Sequence, residues 1–412
     1  MGLIIFSGIT GFDKTEFIRS FALKCLEKHH YPVDLENSDS RKFIHYIKFE
    51  DVLLDVADSA DIANFLGRHS LHEKNNAIEQ TFSRIGKQIE ETRAEHVFLD
   101  IHLCCLYHSQ FFPPLSAANL NELDRSVAPF PEASIKVVAL IDNVYSIWRN
   151  LKNREATFPG TSLRLREILA WRSVELLQAE AVALNYTSET RDVRNYLFSV
   201  RHPFISIYNL VFSENPICVY LSFPITNTRQ CSNRIDNINI FRRRMYEMAT
   251  ELGVVVFDPV TIDELALNFS TLDGENRVLN GSMRWPLDTE DLLVAEPHWP
   301  IEIPDNEVEE VRSDIMNNIR PRDFKLIDNS MLTTVYRKNY GGHSRGVTEE
   351  ITYANSRGKR VYVYDPEEDA EAGVSHPFDP DVYGYRDVEA FYDAVKKGIE
   401  SCQVARAYRR IA

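Results

Sequence analysis

Long apolar runs are missing from this chain of 412 residues. No stretch reaches the roughly 20 residues that a membrane span needs, and the N-terminus lacks the basic flank of a secretory leader. A soluble, cytoplasmic protein with no membrane partner is therefore expected. Cysteine is scarce, with six in all and no C-x-x-C spacing, so neither a disulfide framework nor a common zinc module is expected. Cys104 and Cys105 sit in an apolar run and read as core. Positive charge is in deficit: 46 Lys and Arg face 61 Asp and Glu, for a formal net charge of −15. That balance argues against a nucleic-acid partner and leaves room only for a local basic pocket. Internal repeats and low-complexity tracts are absent as well.

What is present suffices for real cores, with 44% hydrophobic and 11% aromatic residues. The length predicts two domains. Short apolar strands alternate with amphipathic helical stretches throughout, which predicts an α/β protein with parallel sheets. The turn Ser213-Glu214-Asn215-Pro216 sets the expected boundary, giving domains 1–213 and 216–412. Two three-layer α/β domains are expected.

In the first domain the strand Leu3 to Phe6 runs into Ser7-Gly8-Ile9-Thr10-Gly11-Phe12-Asp13-Lys14-Thr15, and a helix follows. Strand, glycine loop, Lys-Thr and helix is the context of a phosphate-binding P-loop, with backbone from Gly8 and Gly11, a cation from Lys14 and a Mg²⁺-ligating hydroxyl from Thr15. Asp13 stands where the pattern has its last glycine, bringing a Cβ and a negative charge toward the phosphates. Two readings stand: a weakened nucleotide site, or a loop that only joins strand to helix. Asp100 ends the strand His96 to Asp100, where a Mg²⁺-water ligand would sit, and His102 follows. After the strand Ile135 to Ile141 come Arg149, Lys152, Arg154, Arg164, Arg166 and Arg172. This order resembles the archaeal-type adenylate kinases and related nucleoside-monophosphate kinases over residues 1–190. The resemblance implies a P-loop kinase-like fold, ATP with Mg²⁺ at the loop, and an arginine-bearing lid near 153–166. Arginines on an amphipathic helix also fit a solvated face. The apolar run Phe204 to Phe212 is expected to close this domain.

The second domain opens with the strand Ile217 to Leu221, the loop Ser222-Phe223-Pro224-Ile225, a helix over about 235–252 and the strand Val254 to Phe257. That spacing predicts a Rossmann-like parallel sheet with a site at the strands' C-terminal ends. Residues 265–302, rich in Asn, Asp, Trp and Pro, read as a long insertion over the site or at a subunit contact. A helix from Val308 to Ile319 is expected to break at Arg320-Pro321-Arg322, with a strand-like segment from Asp323 to Asp328. Then comes Gly341-Gly342-His343-Ser344-Arg345-Gly346-Val347-Thr348-Glu349-Glu350. It reads as a glycine loop feeding a helix N-terminus, with acids in the first turn, and suits a phosphate or another anion. The strand Arg360 to Tyr364 follows.

Ser344, Gly346, Val347, Glu350, Ala354, Gly358 and Lys359, with Tyr220, Leu221, Ser222 and Pro224 upstream, resemble the nucleoside 2-deoxyribosyltransferase and 2'-deoxynucleoside 5'-phosphate N-hydrolase superfamily. The resemblance implies that Glu350 is the nucleophile, that Tyr220 contacts it, and that Asp314 acts on the departing base or the sugar. Asp328 is the alternative to Asp314, and Asp323 reads as a cap or turn former. Serine at 344 leans toward a 5'-monophosphate substrate. Ser222, Pro224 and Gly346 line the expected site, with Arg229 a candidate for the phosphate or a solvent residue beside the helix. Phe223 replaces a usual glycine and either narrows the pocket or turns a ring onto the base.

These residues suit cleavage of an N-glycosidic bond, which needs a carboxylate at C1' and a means of protonating the base. The leading expectation is a nucleotide N-glycosidase or deoxyribosyltransferase, needing no cofactor for that step, with a P-loop domain that binds or senses nucleotide. The alternatives are a nucleotide kinase with an appended domain and a non-catalytic nucleotide-binding regulator. A homodimer is expected.

Overall fold

The computed structural model describes residues 2–107, 110–115, 117–127, 134–155, 163–186, 193–229, 232–280, 292–294, 299–337, 344–366, 375–376 and 379–409. The chain divides into two compact units: 1–200 with 293–296, and 201–292 with 297–412. The division falls ahead of the turn at 213–216.

The first unit begins with β1 (Gly2–Ser7), α1 (Lys14–Lys28), α2 (Ser38–Phe43), β2 (Ile44–Lys48), α3 (Phe49–Val56), α4 (Ile62–Arg68) and α5 (Leu71–Thr92). It continues through β3 (His96–Asp100), β4 (Cys105–Tyr107), β5 (Gln110–Phe112), α6 (Ala117–Val127), β6 (Ser134–Ile141), α7 (Val144–Glu155), α8 (Leu165–Tyr186) and β7 (Arg194–Ser199). Its five-stranded sheet has the order β2-β3-β1-β6-β7, and every pairing is parallel. A glycine loop after the central strand and an aspartate closing its neighbour make this a P-loop kinase-like arrangement. Strands buried on both faces read as apolar runs, because each face needs a partner layer. Leu3 and Ile5 pack into one cluster with Val97, Leu99, Val137 and residues of α5, α6 and α8. Phe6 and Phe98 meet Phe21 of α1 on the opposite face.

The second unit begins with α9 (Phe204–Phe212), β8 (Cys218–Ser222), α10 (Ile225–Arg229), α11 (Ser232–Leu252) and β9 (Val255–Phe257). Next come two 3-10 segments, Pro259–Thr261 and Glu264–Phe269, then β10 (Thr271–Asp273), β11 (Asn276–Leu279) and β12 (Ile301–Pro304). It ends with α12 (Asp305–Asn329), β13 (Leu332–Tyr336), α13 (Arg345–Ser356), β14 (Arg360–Tyr364), β15 (Ser375–His376), β16 (Asp379–Tyr385) and α14 (Val388–Arg409). The sheet order is β15-β16-β14-β13-β8-β9. All its pairings are parallel except β15 with β16. Val219 and Leu221 join Phe241, Met245, Phe391 and Val395 in one core cluster, so α11 and α14 cover one face. Tyr220 and Ser222, two apart, point to the other face.

Five expectations change. The run Phe204 to Phe212 is a helix of the second unit, held there by Asn209 Nδ2 donating to Val254 O at 2.8 Å. The described part of 265–302 is partly ordered, since β10, β11 and β12 pair antiparallel. Pro321 does not break α12, which runs on to Asn329. An internal proline costs about 3 kcal/mol, but the turns beyond it bury Arg322, Asp323, Leu326 and Ile327, and tertiary burial overrides the local preference. The strand-like segment expected at 323–328 is therefore helix, and the strand is β13. Phe223 is 3% exposed and its ring lies edge-on to Phe241 at 6.3 Å, so it packs in the core and not over a pocket.

Candidate active site at the end of β8

β8 and β13 pair in parallel, which brings Ser222 level with Val335 at the C-terminal edge of the sheet. α13 leaves that edge, and Glu350 projects back onto β8. Ser222 Oγ donates to Glu350 Oε2 at 2.5 Å. The Tyr220 hydroxyl has no well-formed hydrogen bond but lies close enough to act on the titration of Glu350. Glu350 keeps some solvent contact as a residue, while its carboxyl is enclosed by these groups. Loss of hydration is the largest cause that pushes its pKa up, to about 8, and the charge of Asp323 adds to it. Ser222, Tyr220 and Arg322 pull the other way. Burial also raises the phenol of Tyr220 well above its ordinary value, so it stays a neutral donor.

The expectation of acids in the first turn of this helix needs correction. α13 starts at Arg345, so Glu349 and Glu350 lie in the second turn, and the first turn holds no acid. Ser344 is the N-cap, and its side chain makes no cap hydrogen bond. Among the described residues, a Cβ on Gly346 would come within 4 Å of Ser344 Oγ alone, at 3.9 Å. The glycine loop at 341–343 lies outside the described residues. Glu349 faces elsewhere, paired with Arg320 at 2.7 Å and Arg345 at 2.9 Å.

Behind Glu350 lies a buried charge cluster. Arg322 donates to Asp323 Oδ1 through Nε at 3.0 Å and Nη2 at 2.8 Å, and through Nη1 to Ile262 O at 2.7 Å. Glu264 lies 3.6 Å from the same guanidinium. All three side chains are buried. Burial is the largest cause raising the pKa of Asp323, and the charge of Glu264 adds to it, against the pull of Arg322. Asp323, expected to be a cap or turn former, is the aspartate placed beside Glu350. Asp314 sits nine positions earlier on α12, roughly 13 Å along the axis. Asp328 is at the surface, where it accepts from Tyr353 Oη at 2.8 Å and faces Arg357 at 3.4 Å, tying α12 to α13. Arg229 is ion-paired with Asp263 and lies over the Phe269 ring at 5.3 Å. Its side chain is 5% exposed, so it is not a solvent residue, and its Nε and Nη1 have no hydrogen-bond partner among the described residues. Pro224 begins the turn into α10, its carbonyl accepting from Thr228 N at 3.2 Å.

The glycine loop of the first unit is packed from within. Gly8 (φ +156°) and Gly11 (φ +112°) have no room for a side chain: a Cβ on Gly8 would meet the Phe12 ring at 2.7 Å, and one on Gly11 would meet Ile147 at 2.6 Å. Lys14 is 3% exposed, with its Nζ 2.6 Å from Asp100 Oδ1 and donating to Ile101 O at 2.7 Å. Thr15 Oγ1 donates to Asp100 Oδ2 at 2.9 Å, and Tyr46 Oη donates to the same oxygen at 3.1 Å. The groups expected to hold ATP and Mg²⁺ thus satisfy one another. Asp13, expected to crowd the phosphates, is exposed. The expected lid lies largely outside the described residues. Among the described residues no helix is long and apolar enough to cross a membrane.

No family model and no curated protein matches the sequence. Solved structures do match, 33 chains in all. One of them comes from the PezAT chromosomal toxin-antitoxin system of Streptococcus pneumoniae, at 10% identity, covering 47% of this chain and 67% of that chain with a TM-score of 0.26. So loose a superposition supports no inference about the chemistry of either unit.

Arg322 and Asp323 were masked as site residues by Pro321 beside them, which marked the segment as a helix break, and Glu264 lies in a stretch that carries no motif. Glu175, which accepts from Gly8 N at 2.9 Å, lay 167 positions away on an ordinary amphipathic helix.

Proposed function

We propose that the second unit is a nucleotide N-glycosidase, cleaving the base–sugar bond of a (deoxy)nucleoside 5'-monophosphate with Glu350 as nucleophile. The reading rests on one observation above the others: Glu350 is held by Ser222 at the C-terminal edge of a parallel sheet, with Asp323 behind it. Open α/β sheets take their ligands at that edge.

In this reading the ionised Glu350 attacks C1' and the C1'–N bond breaks. The bonding pair goes to the base nitrogen, which is protonated by an acid of the site, for which Asp323 beside Glu350 is the candidate. Water then attacks C1', displaces Glu350 and returns a proton to Asp323. Transfer to a second base in place of water would make the same site a deoxyribosyltransferase. Ser222 holds the attacking carboxylate, and Ser222 and the nearby Tyr220 favour its ionised form against the burial that opposes it. Ser344, with its hydroxyl unused by the helix cap, is the candidate for the 5'-phosphate, and the buried Arg229 is a second. The same chemistry needs no cofactor.

The test is chromatography of nucleosides and their mono- and triphosphates after incubation with the full chain. Free base from the monophosphates supports the reading. ADP formed from ATP and a monophosphate would favour the kinase alternative, and tight nucleotide binding without turnover the regulator.

A further inference from the structure

Glu175 is the most unusual carboxylate of the first unit. It lies on α8, is 1% exposed, and accepts three backbone N–H groups from two different loops. Its Oε1 takes Gly8 N at 2.9 Å and Leu103 N at 2.9 Å, and its Oε2 takes Cys104 N at 2.6 Å. Gly8 opens the loop after β1, and Leu103 and Cys104 follow β3, so the carboxylate sits at the strand ends where an α/β sheet binds its ligand. Convergent backbone N–H groups there form an anion-binding concavity. Trp171, one turn earlier on α8, donates Nε1 to Cys104 O at 2.7 Å and fixes the same loop. Lys14 and Thr15 are turned inward onto Asp100 and Ile101, as described above.

We infer that the anion site of the glycine loop already has a resident ligand, the chain's own Glu175 carboxylate, and that it excludes nucleoside polyphosphates from the first unit. An ionised carboxylate offers these amides two acceptor oxygens, as a phosphate edge would. Being tethered, it needs no translational entropy to stay, whereas an incoming phosphate must supply that cost and displace it. Burial raises the pKa of Glu175 to about 7 and its three N–H donors oppose that rise, so a good share of the ionised form persists at neutral pH. Asp13, exposed and outside this contact, is not what closes the loop.

The experiment is calorimetric titration of the full-length protein with MgATP and with inorganic pyrophosphate, on the wild type, Glu175→Ala and Asp13→Gly. The wild type and Asp13→Gly are expected to bind neither ligand more tightly than about 1 mM, and Glu175→Ala to gain at least ~tenfold for both. A wild type that binds MgATP at micromolar concentration overturns the inference, and so does a folded Glu175→Ala with no gain. Should Glu175→Ala not fold, hydrogen exchange on the wild type decides. Exchange over 7–15 and 101–105 unchanged by millimolar MgATP supports the resident carboxylate, and new protection there overturns it. None of these readouts depends on the glycosidase reading of the second unit.

Discussion

Ser222 Oγ meets Glu350 Oε2 at 2.5 Å across 128 positions of sequence. Glu349, one residue earlier, pairs with the surface arginines Arg320 and Arg345. Neighbouring glutamates on one helix thus have opposite environments. Replacing Glu350 by Gln is expected to lower base release by at least ~10⁴-fold, in line with losing a nucleophile. Glu349→Gln is expected to change it less than about threefold, since exposed ion pairs contribute ~0–1 kcal/mol. Steady-state rates of the two variants, with circular dichroism as the fold control, check this. A silent Glu349→Gln beside an active Glu350→Gln would reverse the assignment.

Asp323 is expected to matter and Asp314 not. Asp323→Asn removes the proton donor for the base and is expected to cost roughly 10²–10⁴-fold in kcat. Asp314→Asn, on the same helix roughly 13 Å away, should keep near-wild-type turnover. A substrate with a good leaving group, such as a p-nitrophenyl 2-deoxyriboside, should restore rate to Asp323→Asn and not to Glu350→Gln. Failure of that rescue would place Asp323 in a structural role.

The hydroxyl of Ser222 favours the ionised form of Glu350. Hydrogen bonds to a charged group contribute about 1.5–3 kcal/mol. Ser222→Ala should therefore move the rising limb of the kcat/KM–pH profile, set near 8 in the wild type, to higher pH. An unmoved limb would show that Ser222 does not act on Glu350.

Stability carries the same information without any substrate. The pKa of Glu350 rises from 4.5 to about 8 in the folded state. Between those values the folded protein binds more protons at this site than the unfolded chain does. The contribution of Glu350 to stability is therefore greatest below 4.5 and is lost as pH rises through about 8. Glu350→Gln should flatten this part of the stability–pH curve and stabilise the protein on its alkaline side. Melting temperatures of wild type and variant across that range read the effect directly. Equal slopes would mean that Glu350 is not perturbed.

Most of the strand framework was legible in the chain, for a reason that particular strands show. His96–Asp100 and Arg360–Tyr364 fall where apolar runs end at polar or glycine-rich turns, and parallel strands buried on both faces leave that signature. That β8 and Glu350 meet was suggested only through the resemblance, which pointed to Tyr220, whereas the hydrogen bond comes from Ser222, since spacing cannot say which sheet edge a helix returns to. α12 was misread because Pro321 is a strong local signal and the burial of Arg322, Asp323, Leu326 and Ile327 is a tertiary one. The glycine loop shows the opposite error. Its Gly-x-x-x-x-x-Lys-Thr spacing was legible, but its state depends on Glu175, which no local pattern connects to it.

The most direct test of the central claim is the release of free base from a panel of deoxy- and ribonucleoside 5'-monophosphates, followed by chromatography with wild type and Glu350→Gln side by side. The account predicts free base and the matching sugar 5'-phosphate from the wild type and neither from the variant. No free base from any monophosphate, or equal release by the Glu350→Gln protein, would contradict it.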